Sequence, residues 1–91
     1  MVLLISYDLD HHARPAAYAA VEKMIKENSR SWAKPLYSQW FVDTGDSIET
    51  WQTRMKNVAN GAADYWLILP VHGSRQGWLP KQVWDWLDAR V

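Results

Sequence analysis

The chain has no cysteine, one phenylalanine, four glycines and no surplus of either charge, with ten lysines and arginines against ten aspartates and glutamates in 91 residues. Without cysteine there are no disulfides and no thiolate metal ligands, so nothing calls for an oxidising compartment. Without a basic excess the chain lacks the usual electrostatic footprint of a protein that grips duplex backbone tightly, although a local patch remains open to it. The first apolar run, Val2 to Ile5, is too short to span a bilayer and has no basic leader before it. The expectation is a cytoplasmic protein with no membrane partner. No linker, internal repeat or low-complexity segment interrupts the chain, so residues 1–91 are read as one domain. Such a chain buries only roughly 60–65% of its unfolded surface, and pairing with a second copy is an expected source of extra stability. What it has in plenty is tryptophan: seven, with four tyrosines, supply much apolar area per residue.

Apolar spacing divides the chain into elements. The opening run through Tyr7 reads as a strand buried on both faces, and it stops abruptly at Asp8, Asp10, His11 and His12. Pro15 suits a first helical turn, and Tyr18, Val21 and Ile25 continue at three- and four-residue spacing to about Asn28. Trp32 begins a short strand in one reading. Leu36 to Val42 is strand-like, with Leu36, Ser38, Trp40 and Val42 on one face. After a Thr44-Gly45 turn, Asp46 and Glu49 have the form of a capping box. Ile48, Trp51, Met55 and Val58 then give a second helix to about Ala59, closed by Asn60-Gly61 as a left-handed cap. Tyr65 to Val71 is a third apolar run, and Pro70 within it points to an edge position. Pro80 opens a last helix, from Lys81 to about Arg90. The order is that of an α+β, ferredoxin-like βαββαβ sandwich with an added C-terminal helix. A three-stranded sheet with helices on one face uses the same elements and differs mainly around Trp32.

Candidate chemistry concentrates where the first strand ends, because a rigid strand opening into a loop is where folds display reactive groups. Asp8 and Asp10 fall on one side of an extended chain. Together, or with Asp8 paired to its copy in a dimer, they could hold Mg²⁺ through oxygen ligands, and the ion could activate water. The alternative is that Asp8 caps the following turn while Asp10 is solvated. His11 and His12 are candidates for a general base, since imidazole titrates near neutral pH; ordinary surface histidines are the competing reading. Arg14, Lys26, Arg30 and Lys34, with Lys23, are the candidate contacts for nucleic-acid phosphate, against a plain solvated face. Trp51 and Trp66 read as core. Trp78, Trp84 and Trp86 crowd the C-terminal segment and read as a mixture of core lid and dimer contact, with base stacking the minor alternative. The loop from His72 to Gly77 has no phosphate-loop signature and reads as a connection.

The ending Ser6-Tyr7-Asp8-Leu9 of the first strand, the segment Ser38-Gln39-Trp40-Phe41-Val42, Asp64 entering the last strand, and the pairs Gly77-Trp78 and Trp86-Leu87 occur in an order spanning nearly the whole chain. In these points the chain resembles the superfamily of small ferredoxin-like proteins grouped around CRISPR-associated protein two. The SinR-like set and the virulence-associated protein D-like ribonucleases are among its relatives, and the SinR-like members look most similar. The resemblance implies a homodimer in which Asp8 faces its twin, and some family members are Mg²⁺-dependent nucleases while others bridge partner subunits and hold DNA without catalysis. It also makes Ser38 a possible site residue, although no acid or base stands beside it in the sequence. The chain differs from the family in its neutral charge and in a helix where the CRISPR proteins exchange a C-terminal strand. The expected function is therefore a small dimeric nucleic-acid-associated or adaptor protein without strong catalytic activity. The alternative is a Mg²⁺-dependent endonuclease acting on RNA or DNA through Asp8, with Asp10, His11 or His12 assisting.

Overall fold

A computed structural model describes residues 1–10 and 16–91. Its elements are β1 (Val2–Asp8), α1 (Ala16–Asn28), β2 (Ser31–Leu36), β3 (Gln39–Asp43), α2 (Ile48–Val58), β4 (Tyr65–Pro70) and α3 (Lys81–Asp88). The strands form one antiparallel sheet in the order β2-β3-β1-β4. This is an α+β architecture of four strands and three helices, compatible with a ferredoxin-like domain. Because Ser31–Leu36 is a paired strand, the three-stranded alternative is ruled out.

The core lies on one face of the sheet. Strand alternation sends Leu3, Ile5 and Tyr7 of β1 and Trp40 and Val42 of β3 to that face. Ala17, Val21, Met24 and Ile25 of α1 and Trp51 and Met55 of α2 close over them. On the second face α3 covers only part of the sheet. Trp86 stacks on Phe41 at 6.4 Å between ring centroids, and its indole N–H donates to Ser31 Oγ at 2.8 Å. Arg75 ties the preceding loop to α3, with Nη2 donating to Asp88 Oδ1 at 2.6 Å. The first strand is therefore not sealed on both faces. Leu4 and Ser6 are half-buried and Asp8 is exposed: Leu4 borders a cavity shared with Trp84 and Leu87 of α3, and α3 does not reach the depression that Ser6 and Asp8 line.

Local signals were displaced in three places. The segment from Leu36 to Val42 is not one strand: Leu36 opposite Gln39 makes Tyr37-Ser38 a tight turn between β2 and β3. The pairing is irregular between Ala33 and Leu36, the stretch that holds Pro35. Ser47, not Asp46, caps α2, its hydroxyl accepting from the Thr50 N–H at 3.1 Å. Asp46 instead takes Arg54 Nη2 at 2.8 Å. No glycine among the described residues has positive φ, so Asn60-Gly61 is not a left-handed cap; α2 closes with the Ala59 N–H donating to Met55 O. A Cβ at Gly45 would lie 2.5 Å from Arg30 Nη2, the far end of a flexible side chain that can move aside.

Tyr7 and Trp40 join β1 to β3 inside this core, with the indole N–H donating to the phenol oxygen at 2.7 Å. Burial raises the Tyr7 hydroxyl above its ordinary value of 10.0, and the hydrogen bond from Trp40 offsets part of that rise. Above this ordinary value the unfolded chain releases the Tyr7 proton while the folded chain keeps it. The stability is complete below about pH 10 and is lost as pH climbs through the raised folded value. Urea midpoints measured from about pH 9 to pH 11 should fall more steeply for the wild type than for Tyr7→Phe. Parallel curves would show that Tyr7 does not set the alkaline limit.

Candidate functional site

Alternation along β1 places Asp8 on the second face, in line with Leu4 and Ser6, and antiparallel pairing sets it opposite Tyr65. The same pairing puts Ser6 opposite Leu67 and Leu4 opposite Leu69. Beyond the reach of α3, Ser6, Asp8, Ser38, Tyr65 and Leu67 line a shallow depression. The Asp8 carboxylate is exposed and makes no hydrogen bond or ion pair with the other described residues. Around it, Tyr65 and Leu67 are 66% and 58% exposed with nothing over them, and Leu69, 37% exposed, continues this apolar strip of β4 to the cavity that Trp84 and Leu87 line. Exposed apolar side chains that lie together, rather than singly, mark a surface that meets something else.

Asp10 follows a different path from Asp8. Its main-chain N–H donates to Asp64 Oδ1 at 2.8 Å, while Asp64 Oδ2 accepts from the Gly61 N–H at 2.9 Å. Buried Asp64 thus fastens the end of β1 to the turn that follows α2. Among the described residues no group of three or more histidine, aspartate or glutamate side chains could hold a metal ion. The candidates His11, His12 and Arg14, and the Pro15 helix start, lie outside the described residues.

Ser38 sits in the β2–β3 turn, and its carbonyl oxygen accepts from the Tyr7 N–H at 3.1 Å. It lines the depression that holds Asp8, and its hydroxyl makes no hydrogen bond to the other described residues. The described basic candidates are spread over α1, the entry to β2 and β2 itself. Lys23 pairs with Glu27 at 3.8 Å and Lys26 with Glu22 at 2.9 Å along α1. Arg30 stands at the entry to β2 beside Gly45, and Lys34 lies on β2 itself. Lys26 and Lys34 nevertheless come together over aromatic rings, each within 6 Å of the Trp40 centroid (5.9 and 5.1 Å).

The tryptophans divide by environment. Trp51 is fully buried, and Trp66 is half-buried with its N–H donating to Gln52 Oε1 at 2.8 Å. Trp84 and Trp86 are half-buried, Trp86 against the sheet, while Trp78 is 98% exposed. Trp78→Ser should leave the thermal midpoint of the dilute protein almost unchanged, within about 0.5 kcal/mol in stability. A larger loss would mean that the indole is covered in solution.

Residue types alone did not reveal the β4 strip. Tyr65 to Val71 is uniformly apolar, and one-sided exposure arises only because α3 covers half of the second face. The period-two alternation of exposed Tyr65, Leu67 and Leu69 with half-buried Trp66 and Ile68 is the signal once the face is known. No helix among the described residues is long and apolar enough to cross a membrane. No protein-family model matches the chain, and no curated protein matches it.

Proposed function

We propose that this chain is a ferredoxin-like βαββαβ domain with an added C-terminal helix, related to the CRISPR-associated protein two superfamily, that serves as a homodimeric, nucleic-acid-associated adaptor without strong catalytic activity. The observation that carries the reading is the exposed apolar strip of β4, with Tyr65 and Leu67 open beside Asp8 and Leu69 at its α3 end. A domain of this size has little core to spare, and a strip of this kind gains most from a partner with the same surface. Two identical strips brought together by a two-fold axis close on themselves, each copy supplying what the other lacks.

Sedimentation velocity tests it. The wild type should sediment as a dimer at micromolar concentration, and Leu67→Asp as a folded monomer. A wild type that stays monomeric at roughly the millimolar concentrations where weak self-association saturates would remove the reading.

The endonuclease alternative rests on the exposure of the Asp8 carboxylate in the same strip. No cluster of three or more histidine or carboxylate side chains stands among the described residues of a single chain, so this reading draws on the second copy's carboxylate as well. It stands if Mg²⁺-dependent cleavage of single-stranded RNA or duplex DNA disappears in Asp8→Ala. Equal activity in both proteins assigns the cleavage to a contaminant.

A further inference from the structure

β2 is the outer strand at the end of the sheet opposite β4, and rings and lysines cluster along it. Lys26 Nζ, reaching from α1, lies 5.1 Å from the Trp32 ring centroid, and Lys34 Nζ lies 5.3 Å from that of Tyr37. Both lysines also face the ring of Trp40, which is only 1% exposed and which Trp32 meets edge to face at 5.1 Å. A buried indole therefore anchors the group, while Trp32 and Tyr37 are 40% and 73% exposed. Tyr18 supports Tyr37 from α1, with 5.8 Å between centroids.

The charges are partly spoken for. Glu22 accepts from Lys26 at 2.9 Å, and that bond, with the nearby Lys34, holds its carboxyl below the ordinary value. Lys34 itself makes no ion pair with the other described residues. The cluster thus keeps a positive surplus of one over these three groups. On the other side of the strand, Trp32 and Lys34 also border a groove completed by Pro80, Gln82, Val83 and Trp86. Its volume of about 390 Å³ lies within the range of small-ligand sites, roughly 300–1,000 Å³.

We infer that the β2 edge is a platform for single-stranded nucleic acid, with bases stacking on Trp32 and Tyr37 and phosphates meeting Lys26 and Lys34. Exposed rings beside lysines match a strand that offers flat π-faces and anionic links in alternation. A duplex hides its base faces and rewards charge alone, which this neutral chain has little of. The groove toward Trp86 and Gln82 would take a base that leaves the stack, with the Gln82 amide available to its edge. This deepens the proposed nucleic-acid association, and it does not rest on the dimer, since β4 lies at the far end of the sheet.

Fluorescence anisotropy with labelled oligothymidylate and oligouridylate of roughly 12 nucleotides, and with a duplex of equal length, tests the platform on the whole chain. The wild type should bind both single strands more tightly than the duplex. Trp32→Ala and Tyr37→Ala should each weaken binding about tenfold, and Trp32→Phe should keep most of the affinity. The double variant Lys26→Gln/Lys34→Gln should flatten the logarithmic salt dependence by about 1.4, the value for two single-strand phosphates. Circular dichroism checks that each variant is folded, and Tyr37, in an exposed turn, is the substitution least able to disturb the fold. Unchanged binding in all the folded variants overturns the platform while leaving nucleic-acid association standing. Tighter binding of the duplex does the same. Failure of the wild type to bind any of the three probes overturns both, whatever its sedimentation shows.

Discussion

Trp51→Ala should cost about 3–5 kcal/mol of stability, the range for emptying a large aromatic site in a core. A domain of this length has about 5–14 kcal/mol in all, so the variant should melt at least about 12 °C below the wild type or fail to fold at growth temperature. The magnitude follows from the position of the indole. Trp51 is completely buried among the sheet, α1 and α2, and its N–H donates to Thr44 Oγ1 at 3.1 Å. The same hydroxyl oxygen accepts from the Asp46 N–H at 3.0 Å, so one threonine joins the start of α2 to the core. Removing the ring leaves a cavity and takes a donor from that oxygen. Trp51→Phe separates the two effects: it retains most of the volume and should lose about 1–2 kcal/mol, chiefly the hydrogen bond and some packing. If thermal unfolding of Trp51→Ala were within 3 °C (about 0.5 kcal/mol) of the wild type, the assignment of the core would be wrong.

Asp64→Ala should be the most damaging polar substitution, at about 2–4 kcal/mol, because it strips two main-chain donors of a charged acceptor. Among the described residues, one oxygen accepts from the Asp10 N–H and the other from the Gly61 N–H, and the residue itself is 7% exposed. Both donors belong to irregular segments that no ladder satisfies. Asp64→Asn keeps a carbonyl oxygen for one N–H and turns the other oxygen into a donor, so it should fall between alanine and the wild type. Urea denaturation gives the order, and hydrogen exchange at the Asp10 and Gly61 amides gives the cause: both should lose protection in Asp64→Ala before the rest of the sheet. An alanine variant as stable as asparagine, with both amides still protected, would mean that the carboxylate is not the fastener.

Helices were the most legible part of the chain. Tyr18, Val21 and Ile25, and then Ile48, Trp51, Met55 and Val58, keep one stripe against the sheet, and the elements run close to where spacing places them. The β2–β3 turn was hidden because Tyr37-Ser38 has neither glycine nor asparagine, and tyrosine is as good a strand former as its neighbours. Adjacent Asp46 and Ser47 can each cap a helix, and the choice went to serine because Asp46 is engaged by Arg54. For the candidate site, Asp8 at an exposed strand end was readable from the abrupt end of the apolar run. The strip beside it was not, since the coverage of a sheet's second face depends on where a distant helix, α3, comes to lie. Nor was the cluster at β2, where Lys26 and Trp32 belong to different elements and meet only after α1 folds back.

Each outer strand of the sheet carries a proline, Pro35 in β2 and Pro70 at the end of β4. A neighbour adding itself strand to strand would find a ladder donor missing at either end, and at β2 a distorted register as well. Edge-to-edge growth repeats without limit, since every added copy exposes a fresh edge. The proposed contact through the β4 strip would use the same surface on both copies and be finished after one partner. The two prolines therefore disfavour growth into a fibre, and the pair proposed through the β4 strip would stay closed.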